Sequence, residues 1–223
     1  MARRIASQIH NRAGDVRQDG QYCGLFELTV WSELKDVRIL LAYGKEILDV
    51  HHFCIKDVPR VSPDRTMRIA AVYRTAAEDL SADNPDAFHP EANHFLAANE
   101  QAYRIGLNAN SDSSHVRRYN FPGKLRRTAE QVAYDIGWRL VATALNGDCL
   151  IDAFAYHAGV KRDPITWKRI RNELADRMEH IATVVDWEGD EHPWAKCFRL
   201  CGEDDILPRL HAAPLVHKDA SPG

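Results

Sequence analysis

The chain contains 223 residues, of which 45% are hydrophobic and 27% are charged, a composition typical of a folded globular protein. A formal net charge of −3 gives no indication of nucleic acid or an anionic membrane as a partner, and no apolar run is long enough to predict a membrane span or a Sec signal peptide. Five scattered cysteines, an odd number, favour free thiols in a reducing, cytosolic compartment over a disulfide framework.

The first half of the chain predicts two helices followed by strands. The spacing of Ile5, Ile9 and Ala13 is helical, and a second helical face runs from Leu25 to Leu34. Strands are predicted over 37–43, 67–73 and 93–97, with 46–55 as the hairpin partner of the first. A long polar loop, 75–92, precedes the last of these strands, which begins with a histidine, His94.

The second half predicts a linker and then three helical segments. Residues 99–127 are polar and read as a surface linker, and a capping-box pattern opens a short helix at 128–137. An extended segment, 138–145, leads into the next helix, and Asp163-Pro164 begins another. We expect the last helix to bury Ile165, Ile170, Leu174, Met178 and Ile181, with its arginines and lysines on the opposite face, and little periodicity follows Asp186.

A tight turn, Asn146-Gly147-Asp148, separates the extended segment from a helix whose first turn contains Cys149. The positive end of the helix dipole is expected to lower the pKa of a thiol there, and the thiolate is the nucleophile. Unpaired N–H groups near Gly147 and Asp148 could stabilise an oxyanion. The alternative is that Cys149 is a small buried hydrophobic residue on an amphipathic helix.

A thiolate nucleophile needs a general base, and the chain offers eleven histidines. Position favours His94, because it follows a long loop where catalytic groups are commonly presented. His52 is the alternative, although strand alternation could place it in the core. A zinc site formed by His192, Cys197, Cys201 and His211 is disfavoured by the wide cysteine spacing and by the aromatic residues in between, so we predict neither a metal nor a cofactor.

Four motifs together resemble those of one enzyme family. The run Asn146-Gly147-Asp148-Cys149-Leu150, followed by an Ala-Phe helix, resembles the Asp-Gly-Asn/Asp-Cys-Leu-Phe motif of the ovarian tumour (OTU) cysteine proteases, most of which are deubiquitinases. Residues 19–28 resemble the family's Trp-Gly-Gly-x-x-Glu-Leu segment, and residues 37–43 and 67–73 resemble the two strands that follow it in the family. Asn93-His94-Phe95 resembles the family's histidine-bearing strand. The pieces occur in rotated order, so the chain resembles a circularly permuted OTU domain, an arrangement found in some bacterial members.

The resemblance implies a papain-like α+β fold, a small mixed or antiparallel sheet flanked by helices, in one permuted domain spanning residues 1–223. Residues 15–97 would form the histidine-bearing half, 98–127 the joining linker, 128–185 the cysteine-bearing half and 186–223 a C-terminal extension. It also implies that Cys149 is the nucleophile and His94 the base, in a monomer that hydrolyses the isopeptide bond after the C-terminal glycine of ubiquitin or a similar modifier. The permutation further suggests a bacterial effector acting in a host cytosol.

Two departures from the family pattern leave the third member of a triad open. Asn146 stands where the family has Asp, so a catalytic role there would rest on hydrogen bonding rather than charge. Leu96 occupies the position two after the histidine, often Asp or Asn, which leaves Asn146, Asn93 or an acid from elsewhere to orient His94. Two rival functions remain: a papain-like peptidase or acyltransferase acting on another substrate, and a catalytically inactive ubiquitin-binding domain.

Overall fold

A computed structural model describes residues 2–43, 46–50, 65–72, 94–100, 129–145 and 147–202. The elements in chain order are α1 (Ala2–Val16), α2 (Leu25–Leu34), β1 (Arg38–Tyr43), β2 (Glu46–Asp49), β3 (Thr66–Val72), β4 (His94–Glu100), α3 (Ala129–Asp135), β5 (Trp138–Val141), α4 (Cys149–His157), α5 (Pro164–Glu188), a 3-10 turn (Gly189–Glu191) and α6 (Pro193–Gly202). Within these ranges no helix is long and apolar enough to cross a membrane.

The five strands form one mixed sheet in the order β2-β1-β3-β4-β5. Strands β1 and β3 run parallel, whereas β1–β2, β3–β4 and β4–β5 are antiparallel pairs. The prediction of an α+β fold with a small sheet flanked by helices is therefore confirmed, and the sheet is of the mixed type. Strand β4 continues to Glu100, so residues 98–100 of the predicted joining linker, 98–127, belong to the sheet.

Helices cover the sheet unequally on its two faces. Phe95 and Ala97 of β4 face the larger core, which holds residues of α1, α2, α4, α5 and α6. Leu96 and Ala98 face the smaller core, under α3. Inside the larger core the rings of Trp31 and Phe154 stack with centroids 4.6 Å apart, which fixes α4 against α2.

Helix α5 begins where the sequence predicted, because the Asp163 side chain accepts a hydrogen bond of 2.9 Å from the Thr166 backbone N–H. Four residues of its predicted stripe are buried (Ile170, Leu174, Met178, Ile181). The prediction that Ile165 is buried was wrong. This residue is 82% exposed, because five helical positions separate it from Ile170 by about 140° around the helix axis. The prediction that the arginines of this helix lie on its solvated face was also wrong for Arg171, which is fully buried.

Helix α6 corrects the expectation that the chain loses its periodicity after Asp186. Trp194 and Phe198 pack edge-on against Phe26 with centroid distances of 6.1 and 4.9 Å. Trp194 and Cys197 belong to the larger core, so residues up to 202 are part of the folded body. The signal was present in the sequence as apolar residues three to four positions apart.

Candidate active site

Cys149 is the first residue of α4, and its side chain is only 1% exposed. The residue before it, Asp148, occupies the N-cap position, and its backbone carbonyl accepts a hydrogen bond of 2.8 Å from the Asp152 N–H. The Asp148 side chain makes no capping hydrogen bond and turns instead toward Arg171. The predicted turn followed by a cysteine helix is thus present, with its acid committed to a structural contact.

The backbone at Gly147 requires glycine for two reasons. Its φ of +82° lies in the left-handed region, and a Cβ built there would come within 1.8 Å of the Gly20 carbonyl oxygen. The Gly20 N–H in turn faces the Asp148 carboxylate at 3.4 Å. The turn before the cysteine therefore packs directly on the 19–24 segment, which brings two of the four motifs together. Asn146, the first residue of the predicted turn and a candidate catalytic residue, lies outside the described residues.

Arg171 of α5 forms hydrogen bonds with both the cysteine turn and the 19–24 segment. Its Nε donates to Asp148 Oδ1 at 3.0 Å, and its two terminal nitrogens donate to the backbone carbonyls of Val16 at 3.0 Å, Gln21 at 2.9 Å and Gly147 at 3.3 Å. One buried guanidinium thus ties the end of α1, the 20–23 segment and the cysteine turn to α5. Sequence reasoning missed it, because a lysine- and arginine-rich helix predicts a solvated face.

A second ion pair supports the turn from the other side. The Asp152 carboxylate, 2% exposed, accepts hydrogen bonds from the Ala144 N–H at 2.9 Å, Arg162 Nε at 2.8 Å and Trp167 Nε1 at 3.1 Å. It lies one helical turn after Cys149, so it connects the cysteine helix to the extended segment before the turn. No local sequence pattern indicates this network, since its hydrogen bonds join residues 8, 10 and 15 positions apart.

His94 is the first residue of β4 and is 4% exposed. Its Nε2 lies 3.2 Å from the hydroxyl of Thr143, which also donates a hydrogen bond to the Phe95 backbone carbonyl. Phe95, the residue after His94, shares the larger core with Cys149, and its backbone lies close enough to the sulfur to lower the pKa of the thiol. The structure therefore brings position 149 beside the peptide that joins His94 to Phe95. His52, the alternative base, lies outside the described residues.

The resting thiol differs from the expectation of a lowered pKa. Burial raises the pKa of Cys149, while the backbone N–H groups of Phe95, Leu150 and Cys149 itself act in the opposite direction. Burial outweighs the helix N-terminus because the sulfur lies inside the larger core. Cys23 is a second buried thiol near the cysteine turn, and burial raises its pKa to about 12, which disfavours the reactive thiolate.

Within the described residues, no cluster of three or more His, Cys, Asp or Glu side chains is arranged to hold a metal ion. Cys197 and Cys201 lie with their sulfurs 4.0 Å apart, and His192 uses its Nδ1 to accept a hydrogen bond from the Trp194 N–H. His211, the remaining residue of the disfavoured zinc set, lies outside the described residues.

The chain matches no protein-family model, no curated protein and no solved structure. The resemblance to the OTU family therefore rests on the sequence motifs of this chain.

Proposed function

We propose that the chain is a cysteine-type deubiquitinase built on a circularly permuted OTU-like domain, with Cys149 as nucleophile and His94 as base. The observation that supports this proposal is that Cys149 and Phe95, the residue after His94, share the larger core, where the Phe95 backbone lies close enough to lower the pKa of the thiol. Cys149 and His94 are 55 positions apart in sequence and come from different predicted halves. The proposed chemistry requires the His94 imidazole to reach the Cys149 sulfur, and the position of Cys149 beside the start of β4 supports this requirement.

The proposed reaction begins with a neutral thiol, since burial raises the pKa of Cys149. His94 takes the thiol proton as the sulfur attacks the carbonyl carbon of the terminal glycine of ubiquitin, forming a C–S bond and an oxyanion. The tetrahedral intermediate collapses with cleavage of the C–N bond, and His94 returns the proton to the leaving lysine amine. Water, deprotonated by the same imidazole, then hydrolyses the thioester and releases ubiquitin with a free carboxylate.

Backbone N–H groups at the cysteine turn would stabilise the oxyanion. The first turn of α4 supplies N–H groups that have no partner within the helix, and the fixed turn at Gly147 and Asp148 aims the chain into it. Asn146 would contribute a side-chain hydrogen bond, as the resemblance implies. No cofactor or metal enters the reaction, and the proposed partner is ubiquitin or a polyubiquitin chain bound by a monomer, in a host cytosol if the chain is a bacterial effector.

A ubiquitin-propargylamide probe tests this proposal, because it labels the nucleophilic cysteine of a deubiquitinase covalently. We expect the wild-type protein to be labelled at Cys149, a Cys149→Ala variant to remain unlabelled, and a His94→Ala variant to react far more slowly. Cys201→Ala and His157→Gln are the matched controls, a half-exposed cysteine and a half-buried histidine away from the turn, and both should label normally. Labelling at another cysteine would contradict the assignment.

The burial of Cys149 favours one second candidate, a ubiquitin-binding domain without catalysis. A nucleophile that stays sealed in the core, with its pKa raised, would not react with the probe. In that case the protein would bind ubiquitin reversibly, and Cys149→Ala would bind it with the same affinity as the wild type. Neither the wild type nor any variant would be labelled by the probe.

A further inference from the structure

The hydroxyl of Thr143 lies between two groups of strand β4 at the end where the proposed base begins. Thr143 is 8% exposed and follows β5, the antiparallel neighbour of β4. Its Oγ1 donates a hydrogen bond to the Phe95 carbonyl and lies 3.2 Å from His94 Nε2. No prediction from the sequence singled out this residue.

The two contacts together fix which nitrogen of His94 carries the proton. A threonine hydroxyl has one hydrogen, and a backbone carbonyl can only accept. The Thr143 proton is given to the Phe95 carbonyl, so the contact with His94 must run from Nε2–H to Oγ1. The neutral imidazole is therefore the Nε2–H tautomer, and Nδ1 carries the lone pair that can take up a proton.

We propose that Thr143 is the positioning residue of the Cys149–His94 pair, holding the imidazole as the Nε2–H tautomer in a fixed ring orientation. This inference rests on the proposed function. A base in such a pair is oriented by a third group, and the position two after the histidine cannot supply it here, because Leu96 is apolar and packs into the smaller core. Thr143, two residues after the end of β5, supplies a hydrogen-bond acceptor to His94 Nε2.

The backbone around Thr143 is itself held on both sides. The Ala144 N–H donates to Asp152 Oδ2 at 2.9 Å, and Arg162 Nη2 donates to the Ala142 carbonyl at 2.5 Å. Asp152 and Arg162 are also paired with each other. The hydroxyl thus belongs to a rigid segment, which is what a group that orients another side chain requires.

The test compares Thr143→Val, which keeps the shape but removes the hydroxyl, with Thr143→Ser, which retains it. Thr29→Val is the matched control, because Thr29 on α2 is also buried and also donates to a backbone carbonyl, that of Leu25, at 2.9 Å. For hydrolysis of a fluorogenic ubiquitin C-terminal amide, we expect Thr143→Val to lower kcat at least about tenfold with little change in KM. Thr143→Ser should restore kcat to within about threefold of wild type, and Thr29→Val should leave it unchanged.

Nitrogen-15 histidine spectra supply a readout that does not depend on activity. Two-bond correlations of the neutral His94 ring, assigned by comparison with His94→Gln, should show the Nε2–H tautomer in the wild type and a mixture in Thr143→Val. A Thr143→Val protein with wild-type kcat, or a wild-type ring in the Nδ1–H form, would overturn the proposal. If the wild-type protein hydrolyses no ubiquitin amide, the deubiquitinase assignment fails and the positioning role fails with it, whereas activity that survives in Thr143→Val removes only the role of Thr143.

Discussion

Arg171 and Asp148 form a fully buried ion pair directly beneath the candidate nucleophile. The Arg171 side chain is 0% exposed and that of Asp148 is 8% exposed, and the guanidinium reaches three backbone carbonyls besides the carboxylate. Both ends of the pair are shielded from water, so neither group has an alternative partner in solvent. The shape of the cysteine turn therefore depends on one side chain contributed by α5.

Removing one member of this pair should be costly. In Arg171→Met the Asp148 carboxylate loses its counter-ion inside the fold, and the free energy of unfolding should fall by about 3–5 kcal/mol. The double variant Arg171→Met/Asp148→Leu should recover part of that loss, since the unpaired charge is removed, although the three carbonyls and the Gly20 N–H lose a partner. Urea unfolding monitored by tryptophan fluorescence measures all three proteins.

Arg177→Met is the control for this experiment. Arg177 lies on the same helix and binds Glu33 through two nitrogens at 2.9 and 2.7 Å, but this pair is partly solvated. Its removal should cost less than about 1 kcal/mol. Equal losses for Arg171→Met and Arg177→Met would contradict the account of a buried electrostatic clamp.

Alanine substitutions at three glycines should distinguish the cost of a steric clash from the cost of backbone strain. Gly147 and Gly159 both have positive φ, +82° and +67°, but only at Gly147 would a Cβ strike another backbone atom. Gly159→Ala should cost about 1–2 kcal/mol from strain alone, and Gly147→Ala at least about 2 kcal/mol more. Gly14 lies inside α1 with open space around it, so Gly14→Ala should stabilise the protein by about 0.5–1 kcal/mol. Thermal unfolding ranks the three, and a Gly147→Ala protein as stable as Gly159→Ala would refute the contact with Gly20.

His157 predicts a pH dependence of stability. Burial lowers its pKa below the ordinary value of 6.5, and its Nε2 bonds the Arg68 carbonyl at 2.8 Å. Above about pH 6.5 His157 is neutral in both the folded and the unfolded state, so it does not change the free energy of unfolding. As the pH falls below about 6.5, the unfolded chain binds a proton at His157 more readily than the folded protein does, so the folded protein becomes less stable. Urea midpoints between about pH 7.5 and about pH 5 should fall less steeply for His157→Gln than for the wild type. Parallel slopes would show that His157 does not contribute.

Local patterns predicted most elements because each depends on neighbouring residues. The short apolar runs of the strands, the helical spacing of Ile5, Ile9 and Ala13, and the Asp163-Pro164 cap are short-range signals, and the structure contains the corresponding elements. The turn at Gly147 and the cysteine helix after it were visible for the same reason.

The parts that sequence reasoning missed are those set by contacts distant along the chain. Arg171 has the residue type of a solvated helix face, and only the packing of α1 and the 20–23 segment over it makes it a buried clamp. Thr143 acquires its role from the pairing of β4 with β5, which one sequence does not specify. The raised pKa of Cys149 likewise follows from burial by both halves of the chain, not from its place at a helix N-terminus.

The most direct test of the central claim is a double-mutant cycle on kcat/KM for a ubiquitin C-terminal amide, using wild type, Cys149→Ala, His94→Ala and the double variant. Because a nucleophile and its base act as a unit, each single substitution should lower kcat/KM at least about 10³-fold, and the second should add almost nothing to the first. Additive losses, or a His94→Ala protein with activity near that of the wild type, would contradict a shared catalytic role for these two residues.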